Sequence, residues 1–392
     1  MPSARLANYR HNSAAIVLER LRFPVERSGG RRYPEPEHPY RNAFQRDRDR
    51  IVHARAFRRL EAKTQVFAPG LSDHFRNRLT HTIEVSQIAR TVSSVLGLDE
   101  DLTEALSLVH DIGHPPFGHA GEDELNRQMS RYGNRFDHNL HALRIVEKFE
   151  QRYARFPGLN LTFEVREGMA KHSRDFAPGE IPELEEYRPG KRPPLEAQLI
   201  DLTDEIAYNS ADLDDGFSAH LFTADDIARE VPRYAEIYET IETQFPGATA
   251  REKFNEALRQ LIDMLVSGLI EGTLETANQS GPRGMEEVRE FPRRLAAFTS
   301  AASAASRELK SFLHRRVYSS PALDEDRSRS TAMMAELFEF FLEHGDRLPE
   351  PYRDMLDAEP AHRVVCDYIA GMTDSFFRRT HERMLAATPP RR

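Results

Sequence analysis

The sequence predicts an all-α fold. Apolar residues recur at helical spacing along most of the chain beyond residue 42, and the segments so marked end at glycines, prolines and capping residues. Strand patterning is confined to one short run, NLTFEV at residues 160–165. There is no repeat with a period of roughly 20–50 residues, which argues against a solenoid or propeller. The expected architecture is one irregular bundle over residues 42–392, a single domain preceded by an extended arm at residues 1–41.

The arm carries ERSGGRRYPEPEHPYR, dense in Pro, Gly and Arg, a composition that favours extended chain. From residue 42, NAFQRDRDRIVHARAFRRLEAK sets Phe44, Ile51, Ala54, Phe57 and Leu60 near one stripe, with arginines elsewhere. APGLSD at 68–73 interrupts the pattern, and Ser72 or Asp73 is placed to cap the next helix. That helix, HFRNRLTHTIEVSQIARTVSSVLG, carries Leu79, Ile83, Ile88, Val92 and Leu96 and stops at Gly97. Asp99 opens the shorter DEDLTEALSLVHD, which Gly113, Pro115 and Pro116 terminate. FDHNLHALRIVEKFEQRYARF begins another helix at about residue 136. Residues 176–194 are rich in Pro and Gly and read as a loop or lid. The long amphipathic LEAQLIDLTDEIAYNSADLDDGF follows, with further helices expected at about 224–243, 250–272, 284–318, 329–344 and 360–386.

Composition narrows the class. Against 54 Lys and Arg stand 63 Asp and Glu, so the formal net charge is −9 and no global basic field points to nucleic acid. Seven arginines fall within residues 41–59, which leaves single-stranded nucleic acid as a candidate partner. The interleaved Asp47, Asp49 and Glu61 favour instead a salt-bridged helix or a subunit contact. Cys366, the sole cysteine, lies in apolar VVCDYI and reads as a buried thiol in a reducing compartment. No run approaches the ~18 apolar residues of a membrane span. The N-terminus lacks the apolar core of a secretory signal, so a cytoplasmic protein with no membrane partner is expected.

The chemistry concentrates in LVHDIGHPPFGHAGEDEL at residues 108–125. His110 and Asp111 sit side by side after an apolar helix, with His114 and His119 close behind. A buried polar group without a partner costs a few kcal/mol, so a fold alone has little use for them there. His81, mid-helix in RLTHTIEV, reads by itself as a satisfied core histidine. Asp204 falls on the inward side of DLTDEIAYNSADLDDG. Two imidazoles and two carboxylates make a mixed N/O donor set, suited to Mn, Fe, Ni, Co or Mg rather than to a thiolate-type zinc site.

An isolated His, a His-Asp pair and a distant Asp, in that order, resemble the HD phosphohydrolase superfamily. FRRLEAKTQV, DHFRNRLTHTIEVSQIAR, HDIGHPPFGHAGEDEL and DEIAYNSADLDDG look like its dNTP triphosphohydrolase branch, nearest to bacterial dGTPase-like proteins. The resemblance runs from about residue 44 to residue 213 and resumes at FLHRRVY and VVCDYIAGMTD. It implies an HD-domain helical bundle, its core at about 72–215, with additional C-terminal helices. It implies a metal held by His81, His110, Asp111 and Asp204, a phosphate contact at Arg78, and His114 and His119 near the α-phosphate. His138 matches a histidine proposed to act in catalysis with neighbouring carboxylates. Gln65, Tyr208 and Asp212 match sugar contacts, and Tyr318 packs where a ribose 2′-hydroxyl would sit. Lys310 and His314 precede Tyr318 by two turns and one, and Lys310 stands where some relatives use arginine for phosphate. His141 has no matching role and reads as surface. Tyr208 and Asp212 follow Asp204 at i+4 and i+8, a drift of only about 40° and 80°, so the three share a helix face. Glu205 departs from the pattern, since some relatives place a phosphate-binding lysine there.

The activity so implied is release of intact triphosphate from a dNTP. A nucleotide activator and homo-oligomeric assembly are further implications. The rival readings are another HD activity, 5′-nucleotidase or cyclic-nucleotide phosphodiesterase, and a nucleic-acid-binding regulator.

Overall fold

The computed structural model describes residues 18–66 and 74–386. Its longest helices are Arg78–Leu96, Leu195–Ser218, Ala250–Ser280 and Pro321–Glu343. Among the described residues there is no strand, only isolated bridges such as Arg31 with Thr162 and Thr64 with Asn77. The all-α class holds, and no described helix is long and apolar enough to cross a membrane.

Local chemistry sets the helix boundaries. The proposed cap at Ser72 or Asp73 lies outside the described residues; the helix starting at Arg78 is capped by Asn77, whose Oδ1 accepts from Thr80 N at 2.9 Å. Thr223 with Asp226 and Thr249 with Glu252 form capping boxes at the Ala224–Glu230 and Ala250–Ser280 helices. Pro232 divides the expected 224–243 helix, because the residue before a proline is pushed out of helical geometry; a second helix, Pro232–Gln244, then begins. The 284–318 and 360–386 expectations divide likewise, into Met285–Glu290 with Ser300–Leu313 and into Ala361–Ala370 with Asp374–Ala386. NLTFEV forms no strand. Thr162 gives its N–H and hydroxyl to Asp47 Oδ2, at 2.8 and 2.6 Å, and caps the Phe163–Ala170 helix.

Helical periodicity locates helices but not which of them share a core. The chain folds as two compact units that alternate along the sequence. Met1–Asp49, His81–Leu108 and Leu161–Ser320 make the first; Arg50–Thr80, Val109–Asn160 and Pro321–Arg392 make the second.

In the first unit the Leu195–Ser218 helix packs against Ala250–Ser280 and Ser300–Leu313. Gly272 permits this approach, since a Cβ there would lie 2.4 Å from the backbone of Phe298 and Thr299. The described part of the N-terminal arm is not a free tail. Leu18, Leu21 and Phe23 are buried, Phe23 N donates to Glu196 Oε1 at 2.9 Å, and Arg22 pairs with Asp99 at 2.7 Å. The Pro/Gly-rich loop is anchored too. Ile181, Leu184 and Tyr187 are buried, and Lys171 Nζ donates to the carbonyls of Arg188 and Lys191, both at 2.9 Å.

In the second unit the Gly118–Ser130 helix packs against Pro321–Glu343 and Ala361–Ala370. Leu125, Met129, Phe338, Phe341, Val365 and Ile369 meet there in one apolar core. Cys366 is fully buried within it, and burial pushes its thiol up, which leaves it unreactive. The C-terminal helices thus form the floor under the histidine-rich segment.

Several arginines of residues 41–59 are spent on the fold. Arg41 pairs with Asp49 at 2.6 Å and Arg48 with Glu104 at 3.3 Å. Arg50 Nη1 donates to the carbonyls of Leu159 and Asn160, at 2.8 and 3.0 Å. These contacts fit the salt-bridged reading of that helix.

Candidate active site

The second unit gathers half of the expected site residues. Its histidine-rich segment leaves the Glu100–Val109 helix through a tight turn, with Ile112 N bonded to Val109 O and His114 N to Asp111 O, each at 3.2 Å. Gly113 makes the turn possible. A Cβ there would lie 2.0 Å from His138 O, so the turn presses directly on the His138–Arg144 helix.

Asp111 is the electrostatic hub. Its Oδ2 accepts from Arg78 Nη1 at 2.7 Å, while Oδ1 lies 3.1 Å from His114 Nδ1 and 3.5 Å from His110 Nε2. Arg78, His110, Asp111 and His114 are all buried. Burial opposes ionisation of Asp111, but Arg78, His114 and His110 outweigh it and hold the carboxyl well below the ordinary range. Burial first, then Arg78 and His138, drive His114 well below its usual value and keep that imidazole neutral.

Glu122 is the residue that motif reading missed. Its Oε1 accepts from His138 N at 3.0 Å and lies 2.7 Å from His138 Nδ1; its Oε2 is 3.4 Å from His119 Nδ1. Burial works against its charge, but hydrogen bonds from His119 and His138 prevail and keep it ionised. The signal was present in GHAGE, since His119 and Glu122 stand at i and i+3 on one helix face. The His138 ring stacks on His114 with centroids 4.0 Å apart, and the His119 side chain is 80% exposed, open to a ligand. Gln65 Oε1 is buried with no hydrogen-bond partner among the described residues. His141, read as surface, is buried and lies 3.3 Å from Asp367, which also accepts from Arg144 at 2.9 Å; it braces the fold.

The first unit holds the remaining expected residues. His81 lies one turn after Arg78 on the Arg78–Leu96 helix, and its Nε2 is 2.8 Å from Asp204 Oδ1. Its burial among apolar neighbours is real, yet its partner is a carboxylate. His172, also missed, bonds Asp201 at 2.7 Å and has a nitrogen within 4.8 Å of an Asp204 oxygen. Tyr318 donates its hydroxyl to Asp212, one step along the helix face from Tyr208. Burial raises both phenols, with Asp212 acting on Tyr318 and Glu205 on Tyr208, so both remain neutral donors. Lys310 is paired with Glu205 at 2.6 Å and lies 5.7 Å from the Tyr208 ring centroid. Glu205 also accepts from Ser306. His314 is exposed, at the start of a π turn over His314–Tyr318 that Ser319 N closes on His314 O at 3.1 Å.

These residues suit a divalent cation. In each unit the expected ligands come as a histidine beside a carboxylate, His110 with Asp111 and His81 with Asp204. Asp111 is held anionic, and a hard or borderline ion takes such mixed imidazole and carboxylate donors.

Comparison with known proteins agrees with this chemistry. Residues 78–209 match the HD domain, and residues 296–383 match the phosphohydrolase-associated domain. The fold is that of an HD-domain hydrolase. A protein of Geobacter sulfurreducens is 43% identical over 361 residues, covering 91% of this chain and 93% of the relative. One of Ruegeria is 43% identical over 376 residues (92% and 97%), and one of Caulobacter vibrioides 42% over 371 (91% and 94%). All three bear the name deoxyguanosinetriphosphate triphosphohydrolase-like protein. The chain belongs to this bacterial family.

Proposed function

We propose that the protein hydrolyses deoxynucleoside triphosphates at the α-phosphorus, releasing deoxynucleoside and intact triphosphate. Its cofactor in this reading is a divalent ion, Mn²⁺ or Mg²⁺, with His81, His110, Asp111 and Asp204 as the candidate ligands that the family resemblance implies. The observation that carries the reading is ionised Glu122, bonded to His138 and His119 on the helix that follows the His110–Asp111 turn. A carboxylate that orients imidazoles is what proton transfer to a leaving oxygen requires.

The bound ion supplies Lewis acidity to a phosphoryl oxygen and acidifies water. The remaining work falls to the chain itself. Arg78 binds phosphate oxygens through its guanidinium while keeping Asp111 ionised. Neutral His114 offers a hydrogen bond at the α-phosphate. Water oxygen bonds to the α-phosphorus as its proton passes to solvent, the bond from phosphorus to the 5′-oxygen breaks, and His119 or His138 delivers a proton to that oxygen. Asp212 accepts from the 3′-hydroxyl, and Tyr208 and Gln65 orient the sugar. Tyr318, tied to Asp212, occupies the space a 2′-hydroxyl would need. Because Glu205 offsets the charge of Lys310, a further Mg²⁺ accompanies the triphosphate in this reading.

The test is an assay of each dNTP and NTP with Mn²⁺ or Mg²⁺, with triphosphate resolved from pyrophosphate. Deoxynucleoside and triphosphate are expected. Nucleoside monophosphate with pyrophosphate, or turnover confined to dNMP or a cyclic nucleotide, overturns the reading.

A further inference from the structure

The helix that carries His119 and Glu122 starts from an unfavourable conformation. Phe117 has left-handed backbone, φ 64° and ψ 22°, and Gly118 follows with φ 58°. Glycine adopts this region freely, whereas a bulky side chain does so only when its surroundings hold it there. Gly118 has its own reason for being glycine: a Cβ would come within 3.2 Å of Arg78 Nη2.

What holds Phe117 comes from the far end of the chain. Its N–H donates to Asp374 Oδ1 at 3.1 Å. The other oxygen of Asp374 accepts the Thr64 N–H at 2.9 Å and the Thr64 hydroxyl. The Phe117 ring meets Phe377 edge-on, centroids 5.0 Å apart, and the Arg378 guanidinium lies 4.9 Å from its centroid. Next to Thr64, the buried Lys63 donates Nζ to the carbonyl of His114 and, at 3.2 Å, to that of Ala370. The Lys63 carbonyl in turn accepts Arg78 N at 3.3 Å. The turn from His114 to Phe117 is therefore gripped at both ends, and the start of the Arg78 helix hangs on the same short segment.

We propose that Lys63, Thr64 and Asp374 form a buckle, with Phe117 as its handle, that positions His114, His119, Glu122 and Arg78 for catalysis. The proposal rests on the dNTP hydrolase reading for its activity readout. These are positioning residues: they act through the turn. The arrangement explains why a phenylalanine occupies a conformation suited to glycine, since only the ring reaches Phe377 and Arg378.

The test compares full-length Asp374→Ala with the double variant Asp374→Ala/Phe117→Gly. Displacement of a catalytic group by about 1 Å can cost about 10²-fold in rate. Asp374→Ala is therefore expected to lower kcat by about that factor with KM little changed. Glycine at 117 adopts the left-handed backbone without strain, though it gives up the ring contacts, so the double variant is expected to recover part of the lost kcat. Val364→Ala, a truncation in the same core, lowers stability without this pattern. A crystal structure of Asp374→Ala supplies a readout independent of turnover: Phe117 leaves the left-handed region and Glu122 shifts. If Asp374→Ala fails to fold, Asp374→Asn, which keeps one acceptor oxygen, is measured the same way. Wild-type kcat in the single variant, no recovery in the double, or Phe117 and Glu122 unmoved in the crystal overturns the proposal. Absence of triphosphate release by the wild-type protein instead refutes the functional reading and leaves the crystal structure to decide the buckle.

Discussion

His110 and Asp111 are adjacent, and both belong to the proposed ligand set, yet their replacement should carry unequal costs. Asp111 lies 2.7 Å from Arg78, with side chains only 6% and 3% exposed. Neutralising one partner of a buried pair costs about 3–5 kcal/mol, because the other charge stays buried without its counterion. Coulomb attraction at an effective dielectric of about 20 gives a similar figure, about 4 kcal/mol near 4 Å. His110→Gln removes an imidazole but no charge on which Arg78 depends, an ordinary substitution costing about 1 kcal/mol. Asp111→Asn should thus be less stable than His110→Gln by about 2–4 kcal/mol. Urea unfolding in excess chelator measures this without the stabilisation that bound metal adds. Elemental analysis of the untreated proteins should show metal lost from both. Equal stability in chelator would refute the hub role of Asp111, and full metal retention in either variant would refute its assignment as a ligand.

Glu122→Gln and His138→Ala should each lower kcat by about 10²–10⁴ with metal content unchanged, and the double variant should be little worse than either, since the pair acts as a unit. Near wild-type kcat in Glu122→Gln would remove its role. Tyr318→Ala should raise kcat/KM for a ribonucleotide relative to its deoxy counterpart by opening the space at C2′; an unchanged ratio places discrimination elsewhere. Glu196 accepts the N–H groups of Phe23 and Asp99, and burial pushes its carboxyl up to about 7. Its folded value exceeds the unfolded one, so its stabilising effect is complete below the ordinary glutamate range and fades as pH rises through about 7. Between pH 6 and pH 9 that fading amounts to about 1–2 kcal/mol, and Glu196→Gln should abolish it; identical urea-midpoint pH profiles would contradict this.

The helices were legible because their signal is local. Apolar periodicity, closed by stops such as Gly97, marks elements whatever they pack against. What periodicity lacks is long-range partnership, and each correction falls there. The Pro/Gly stretch of the arm is non-helical as read, but the burial of Leu18 and Phe23 before it depends on partners distant in sequence. His141 has a polar look, but its partner Asp367 is 226 residues away. The π turn over His314–Tyr318 shifts Tyr318 from the register that an α-helical count from Lys310 assumes. At the site, His110 and Asp111 stood out by adjacency, whereas Glu122 shows its part only once His138, 16 residues downstream, folds back onto it.

The most direct test of the central claim is hydrolysis of a dNTP in ¹⁸O-labelled water, with both products analysed by mass. Attack at the α-phosphorus with departure of the 5′-oxygen places the label in triphosphate and leaves the deoxynucleoside unlabelled. Label in the deoxynucleoside, or pyrophosphate and dNMP as products, would contradict it.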